Sequence, residues 1–265
     1  DHRDLHSFPT RRSSDLLLAA RNDSKLFKSV SPEEASSIAG IKLTKGGLFF
    51  PEAGWLDPKG ACDLMIQNSN IRFIGEEVIN IKKTSKFKVI SNNHEYDFDQ
   101  VCLCSSYEHG SLIDLKGISK KRGQVTYLQN NTSVKNLKVP IFAKGYISPA
   151  PEELKIIGST YNDKNIKDIT LEENQENLEK LKLITNRKVI IEGAKYGYRA
   201  TTQDHLPLVG KTKHNIYVNI GHGSRGSSSA PIGAQFVCDL MSGSPPIFGK
   251  KISEALDPER FKGKS

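Results

Sequence analysis

The sequence has few of the residue patterns that mark metal centres, disulfide frameworks and membrane spans. Its four cysteines, Cys62, Cys102, Cys104 and Cys238, show neither zinc-site spacing nor the density of a disulfide-rich domain. No apolar run approaches the roughly 20 residues that cross a bilayer. These features predict a reduced, cytoplasmic protein with no metal and no membrane contact.

The sequence also lacks internal repeats, and its composition is ordinary for a globular chain. Hydrophobic residues make up 37% and charged residues 26% of the 265 positions. Lys and Arg outnumber Asp and Glu by 38 to 30, which gives a net charge of +8. This excess favours a polyanion such as RNA as partner, with basic clusters at Lys82–Lys88, Lys116–Arg122 and Lys250–Lys264 following its backbone. A solvated lysine-rich surface is the alternative.

The first sixteen residues do not read as native structure. Nine of them, "FPTRRSSDL" from Phe8 to Leu16, match one translated frame of a common sequencing-library adapter. The segment has no apolar stretch of the kind that a signal peptide needs. We interpret residues 1–16 as an assembly artefact; a genuine polar tail is the alternative.

After residue 16, the sequence contains both helical and strand-like hydrophobic patterns. Residues 31–41 predict a helix in which Ser31 is the N-cap, Glu34 completes a capping box and Gly40 is the stop signal. Residues 229–243 predict another helix. Leu171, Leu178, Leu181 and Ile184 recur at helical spacing and predict an amphipathic helix over 171–184. Many short strand-like segments separate the helices, so we predict an α+β fold with antiparallel strands.

A glycine array near the C-terminal end has the local form of a dinucleotide-binding turn. Gly221, Gly223 and Gly226 form G-x-G-x-x-G between the apolar run "NIYVNI" and a helical pattern. Fewer than 40 residues follow, and the acidic residue that such a motif needs after the next strand is missing. The array therefore predicts either a tight packing turn or a contact with one end of a cofactor.

Several ordered motifs carry a family resemblance. "GYRATTQDHLPLVGK" and "YVNIGHGSRGSSSAPIGAQFVCDLMSG" resemble the C-terminal part of the glycine oxidase and D-amino-acid oxidase group of flavoproteins. Together with "GGLFFPEAGWLDP", "GYISPA", "GSTY" and "ALDPERF", the chain from about Leu17 onward is similar to the flavin domain of the bifunctional tRNA wobble-uridine modification enzymes of MnmC type. The N-terminal FAD fingerprint of that family is absent here.

The resemblance implies a D-amino-acid-oxidase-like flavoprotein with FAD as cofactor, tRNA as substrate and a methyltransferase domain in the full-length protein. It implies a substrate domain, built on an antiparallel sheet, at 17–62 and 109–196, a truncated FAD-binding domain at 63–108 and 197–247, and a tail at 248–265. Because the fingerprint is missing, we expect the chain to hold FAD weakly and to be inactive alone.

The implied reaction removes the carboxymethyl group from carboxymethylaminomethyl-uridine and leaves aminomethyl-uridine, by oxidation at a CH–NH group. By resemblance, Arg199 and Tyr146 hold the substrate carboxylate, and Arg225 stabilises the reduced flavin. Without the resemblance, Arg199 and Tyr146 are ordinary strand residues and Arg225 is a phosphate contact to tRNA. Rival functions are a small-molecule glycine or sarcosine-type amine oxidase and a non-catalytic RNA-binding remnant.

The resemblance also implies a set of cofactor contacts: Gly221, His222, Gly223, Ser224, Arg225, Gly226 and Val78. For His222 and Val78, simple packing is the alternative. Arg122 and Gly123 are implied at a strand edge that faces the active site, whereas Asp204 and His205 are interpreted as turn residues. Cys102 and Cys104 should point the same way from a strand and form a small buried pair. Beside them, Ser105 and Ser106 replace the family's usual Ala-x-Gly turn.

Overall fold

The computed structural model describes residues 26–130, 134–150 and 153–261. The segment 1–16 lies outside these ranges. The described residues divide into two compact units: the first lies within 1–63, 123–161 and 165–197, and the second within 64–122, 162–164 and 198–265. Each unit is thus assembled from three stretches of chain.

The described strands and helices follow one another in this order: β1 (Lys28–Val30), α1 (Pro32–Ala39), β2 (Gly47–Phe49), α2 (Pro58–Met65), β3 (Val78–Lys83), β4 (Phe87–Ser91), β5 (Glu95–Phe98), β6 (Cys102–Leu103), β7 (Ile118–Leu128), β8 (Ile141–Phe142), β9 (Tyr146–Pro149), β10 (Lys155–Gly158), α3 (Leu171–Lys182), β11 (Ile191–Thr202), β12 (Leu208–Lys211), β13 (Tyr217–Ile220), α4 (Gly226–Ser242) and α5 (Lys250–Leu256).

Helix α1 starts and stops where its sequence predicts. The Ser31 side chain accepts from the Glu34 N–H, and the Glu34 carboxylate accepts from the Ser31 N–H at 2.8 Å. Gly40 closes the helix in the left-handed region at φ 76°. The capping box and the glycine stop are both confirmed.

A five-stranded sheet organises the first unit, with strand order β11-β7-β10-β9-β8. The pairings of β10 with β7 and β9, and of β8 with β9, are antiparallel. Strands β7 and β11 each continue across the boundary between the two units. The α+β class with antiparallel strands is confirmed.

Helix α3 forms as predicted, but its buried face differs from the predicted apolar stripe. Leu181 is buried, whereas Leu171 at the start is 85% exposed. The first turns bury Glu173, Asn174 and Asn177 instead. These side chains meet polar groups of β7: Thr126 Oγ1 and Gln124 Nε2 donate to Asn174 Oδ1 at 2.6 and 2.9 Å. The N-terminal half of α3 therefore docks through hydrogen bonds.

Two three-stranded sheets lie in the second unit. One has the order β12-β13-β6, in which β13 pairs antiparallel with β12 and parallel with β6; the other is the antiparallel sheet β3-β4-β5. The largest core cluster of the second unit contains Phe87, Leu103, Leu208 and Val218.

The structure places two segments differently from the predicted domain spans. Residues 109–122, assigned to the substrate domain, belong to the second unit because Ile113 and Leu115 are buried in its core. The predicted polar tail, as far as it is described, is packed structure: α5 buries Leu256, and Phe261 is also buried. Both boundaries reflect long-range packing that local composition does not reveal.

Candidate functional site

The glycine array forms a strand–turn–helix in the second unit, as predicted. Strand β13 ends at Ile220, Gly221 and Gly223 have φ values of 80° and 57°, and α4 begins at Gly226. A Cβ at Gly221 would lie only 3.2 Å from Thr202 Cγ2. Positive φ and this close approach together require glycine at position 221.

The N-terminus of α4 is suited to an anionic group. Its N-cap residue, Arg225, makes no side-chain capping hydrogen bond, and its first turn contains no acidic residue. A 3-10 turn, Gly223–Arg225, leads directly into this 17-residue helix and also has no side-chain cap, so the start of the turn and helix together carries the partial positive charge. Ser224 and Arg225 of this turn are exposed. In the described part of the chain, Arg225 forms no ion pair, so its charge adds to that of the helix terminus.

His222 uses its ring nitrogens within the protein. Nε2 lies 2.9 Å from Asn219 Oδ1, and Nδ1 lies 2.9 Å from Ser229 Oγ. Burial lowers the pKa of His222, which favours the neutral ring. The residue thus ties β13 to α4. These contacts leave the faces of the ring, rather than its nitrogens, for a cofactor.

Helix α4 packs closely against β13 at Gly233, a glycine that the sequence analysis did not identify. A Cβ at Gly233 would lie 2.4 Å from Asn219 Oδ1. The close helix–strand packing expected of a third fingerprint glycine is therefore provided by Gly233, seven residues beyond the array. Gly226, by contrast, has helical backbone angles and room for a Cβ.

Arg199 lies on the strand that contacts the glycine turn. At the end of β11, Thr201 forms an antiparallel bridge with His222, and its Oγ1 would lie 3.5 Å from a Cβ at Gly223. Arg199 precedes Thr201 by two residues, so both side chains emerge on the same face of the strand. The Nη1 atom of Arg199 is buried. Arg199 and the glycine turn are therefore neighbours within the second unit.

Val78 borders a cavity of about 690 Å³ in the second unit. Gln100, Cys102, Ser105 and Glu108 are among the other lining residues. The Ser105 hydroxyl oxygen is buried and has no hydrogen-bond partner among the described residues. Val78 itself is 36% exposed, so the alternative of a plain buried valine is wrong. The cavity combines an apolar wall with a hydroxyl that can still donate or accept a hydrogen bond.

Tyr146 lies in the first unit. It begins β9 and pairs with Gly158 of β10. A Cβ at Gly158 would lie 3.4 Å from the Tyr146 hydroxyl, which places that hydroxyl over the backbone of β10.

Arg122 lies in the middle of β7 and is fully buried, so the prediction that Arg122 and Gly123 open this strand is wrong. Its backbone N–H and carbonyl pair with Asn162 at 2.8 and 3.1 Å. Burial also removes it from any basic surface for RNA. Two other members of that cluster have partners in the fold: Lys121 pairs with Asp163, and Lys120 Nζ lies 3.7 Å from the ring centroid of Tyr198.

Asp204 and His205 form a turn, as predicted, and the turn is held by Arg260. Arg260 Nε and Nη2 donate to the two carboxylate oxygens of Asp204 at 2.9 and 3.0 Å. Burial acts to raise the pKa of Asp204. Hydrogen bonds from Arg260, the Leu206 N–H and Thr202, with the charge of Arg260, outweigh burial and hold this pKa at about 2. No local pattern could have paired residues so far apart in the chain.

Comparison with known proteins identifies the family. The profile of the family described as FAD dependent oxidoreductase matches residues 6–240. The chain is 29% identical over 259 residues to the tRNA 5-methylaminomethyl-2-thiouridine biosynthesis bifunctional protein MnmC of Nitrosospira multiformis, covering 89% of this chain and 42% of that protein. The MnmC protein of Pseudomonas putida strain GB-1 is 27% identical over 291 residues, with 92% and 44% covered. The chain thus spans less than half the length of these relatives.

Solved structures with the same fold include a glycine oxidase and an L-proline dehydrogenase. Glycine oxidase from Geobacillus kaustophilus aligns with a TM-score of 0.78 at 18% identity, covering 96% of this chain and 73% of that one. L-proline dehydrogenase from P. horikoshii aligns with a TM-score of 0.77 at 20% identity, covering 98% and 76%. The D-amino-acid-oxidase-like fold is confirmed. Among the described residues, no helix has the length and apolar character needed to cross a membrane.

Proposed function

The chain belongs to the family of FAD dependent oxidoreductases, and from this premise we propose that it oxidises the carboxymethylaminomethyl group of a wobble uridine in tRNA. FAD is the cofactor of the family. When bound, it supplies a two-electron acceptor for the hydride of the N–CH₂–COO⁻ carbon. Addition of water to the resulting imine then releases the two-carbon fragment as an aldehyde acid and leaves the aminomethyl base.

The second unit fits part of the cofactor. The uncapped N-terminus of α4 and the side chain of Arg225 suit the electron-rich edge of a flavin, where positive charge stabilises the reduced ring. The positive-φ glycines let backbone approach a flat ring closely. The Ser105 hydroxyl and Val78 offer polar and apolar contacts for another part of the molecule.

Substrate positioning is assigned to Arg199. Oxidation requires the CH₂ group to be held still, and the group beside it is a carboxylate. A planar guanidinium binds a carboxylate through two parallel hydrogen bonds, which fixes its orientation. The observation that carries the proposal is the bridge between Thr201 and His222, which brings the Arg199 face of β11 to the glycine turn. We assign Tyr146 a second contact with the carboxylate on the resemblance alone.

Similarity in sequence favours a tRNA substrate over a free amino acid. The likeness to bifunctional MnmC proteins covers about nine-tenths of the chain, whereas the likeness to glycine oxidase is one of fold at 18% identity. We therefore also propose a methyltransferase domain in the full-length protein and a cytoplasmic location. The exposed Lys82 and Lys251 are candidate phosphate contacts, because neither forms an ion pair within the described ranges.

The test compares substrates under anaerobic conditions in the longest form of the protein that binds FAD stoichiometrically. The proposal expects carboxymethylaminomethyl-tRNA to bleach the visible absorbance of the flavin, with glycine and sarcosine much slower. Fast bleaching by glycine or sarcosine alone would establish the small-molecule amine oxidase. Binding of tRNA with no bleaching by any substrate would establish the RNA-binding remnant.

A further inference from the structure

Two thiols lie side by side at the end of β6, one on the strand and one on the residue that follows it. The Sγ atoms of Cys102 and Cys104 are 3.7 Å apart, and both residues are exposed. Leu103 between them is buried in the core on the opposite face. The two cysteines thus point the same way, as the sequence predicts, but the prediction that they form a buried pair is wrong. Exposure makes the pair accessible to reagents in solution.

The two thiols have different proton affinities, so only one is a ready nucleophile. The hydrogen bond from Cys102 lowers the pKa of Cys104 to about 7. The same contact raises the pKa of Cys102, and the charges of the neighbouring Cys104 and Cys238 act in the same direction. Near neutral pH, a substantial fraction of Cys104 is therefore a thiolate that accepts a hydrogen bond from the Cys102 thiol.

The spacing of the two Cα atoms lies within the range of disulfides, but their Cβ atoms point the same way, so closing the bond requires a local change of the backbone at 102–104. A strand rise of about 3.3 Å per residue separates their Cα atoms by roughly 6.6 Å, near the upper end of the range for disulfides. Position 102 also lines the 690 Å³ cavity, together with Ser105. The pair is therefore placed where a change in its covalent state alters the cavity wall.

We propose that Cys102 and Cys104 are a redox-active dithiol that a hydroperoxide converts to a disulfide at the wall of the second-unit cavity. The Cys104 thiolate attacks one oxygen of hydrogen peroxide, the O–O bond breaks, and the leaving hydroxide takes a proton to become water. Cys104 is then a sulfenic acid. The Cys102 sulfur attacks it, the S–O bond breaks, and the departing hydroxide leaves with the Cys102 proton as a second water. The two thiols lose two electrons, and one peroxide becomes two waters.

The experiment uses the reduced 265-residue chain treated with hydrogen peroxide at pH 7, followed by iodoacetamide and peptide mapping. We expect the single peptide that holds Cys102 and Cys104 to lose two hydrogens and to resist alkylation. Cys62 and Cys238 should remain alkylated. The matched control is Cys62→Ser, which removes an exposed cysteine on α2 and should leave this result unchanged.

A second variant tests the order of events. In Cys102→Ser no resolving thiol remains, so dimedone should trap a sulfenic acid on Cys104 that is absent from the wild-type chain. Alkylation of both thiols after peroxide in the wild-type chain would overturn the proposal. A disulfide that includes Cys238 would also overturn it. These two outcomes are measured in the wild-type protein and therefore do not depend on the folding of a variant.

Discussion

At the scale of single residues, the candidate site depends on a few side chains whose neighbours are already fixed by the fold. His222 is held by Asn219 and Ser229, and Thr201 bridges the glycine turn. Arg199 extends from the same strand face as Thr201. The proposed chemistry therefore depends on the geometry of a guanidinium and on the backbone of a turn.

Replacing Arg199 by lysine separates positioning from charge. Lysine keeps the positive charge but cannot form two parallel hydrogen bonds, so the substrate carboxylate can rotate. Loss of one charge-assisted hydrogen bond, about 1.5–3 kcal/mol, corresponds to a drop of roughly ten- to hundredfold in the efficiency of flavin reduction by modified tRNA. Anaerobic bleaching measures this drop, and Arg187→Lys on an exposed residue is the control. Reduced tRNA binding with unaffected bleaching would contradict the assignment.

Two glycines of the same array should respond oppositely to alanine. Gly221→Ala places a Cβ at positive φ and 3.2 Å from Thr202 Cγ2, which should reduce the free energy of unfolding by about 1–3 kcal/mol. Gly226→Ala adds a methyl group at helical angles, where the nearest atom is 3.8 Å away, and should be neutral or stabilising. Urea denaturation of both variants measures the difference. Equal losses would show that backbone conformation is not what requires glycine at 221.

The neutral ring of His222 predicts a pH dependence of stability. Burial lowers its folded-state pKa below the ordinary 6.5, so the unfolded chain binds more protons as pH falls through that value. The contribution of His222 to stability is therefore complete above pH 6.5 and is lost as pH falls from 6.5 towards the lower folded-state pKa. Urea denaturation across this window should show a shallower decline for His222→Gln than for the wild-type chain. Identical pH profiles of unfolding free energy for the variant and the wild-type chain would refute this prediction.

The sequence alone could identify the glycine turn but not the partners that complete the site. The local pattern around Gly221 predicts a strand, a turn and a helix, and all three form. The bond between Asp204 and Arg260 joins residues 56 positions apart, which no periodicity reveals. The burial of Arg122 depends in the same way on the packing of β7, including its pairing with Asn162.

At the scale of elements, α3 shows where pattern reasoning succeeds and where it stops. Helical spacing of leucines correctly predicts the helix, because helix formation is largely local. The face that it buries is decided by β7, whose Gln124 and Thr126 present polar groups from about 50 residues earlier in the chain. Gln124 also binds the helix N-cap residue, accepting from the Thr170 N–H at 2.9 Å.

Polar docking of α3 reverses the usual ranking of polar and apolar side chains: here the buried asparagine should matter more than the leucine. Asn174→Ala leaves buried donors on Gln124 and Thr126 without their acceptor, which should cost about 2–3 kcal/mol of unfolding free energy. Leu171→Ala, at a site 85% exposed, should change stability by no more than about 0.5 kcal/mol. Chemical denaturation distinguishes the two variants. A larger loss for Leu171→Ala would show that the apolar stripe, rather than the polar contacts, anchors the helix.

At the scale of the whole molecule, the division into two units does not follow the ends of the secondary-structure elements. Strands β7 and β11 each begin in one unit and end in the other. The C-terminal segment, residues 245–261, belongs to the second unit. Phe261 packs against the backbone of Gly117, because a Cβ at Gly117 would lie 2.3 Å from the Phe261 ring. The last described residues are therefore part of a core.

Truncation of that segment should test its role. A chain that ends after Ser244 loses α5, the buried side chains of Leu256 and Phe261, and the hydrogen bonds of Arg260 to Asp204. Removal of two buried apolar side chains alone is expected to cost about 3–6 kcal/mol. Thermal unfolding followed by circular dichroism measures the loss, with Lys251→Ala on the exposed side of α5 as control. An unchanged melting temperature would show that the second unit is complete without the segment.

The interleaving of the two units has a consequence for synthesis on the ribosome. The first unit needs residues up to 197, and the second starts at residue 64 yet takes core residues from 256 and 261. Neither unit can complete its core early in translation. The first unit needs residues 165–197, which are made after the first part of the second unit, and the second unit needs residues from 198 onward, which are made last. Domains normally fold in order as they emerge. Here the residues up to 197 leave the exit tunnel before the first core is complete, and those up to 261 before the second is complete. We therefore expect this protein to depend on chaperones that bind unfinished chains.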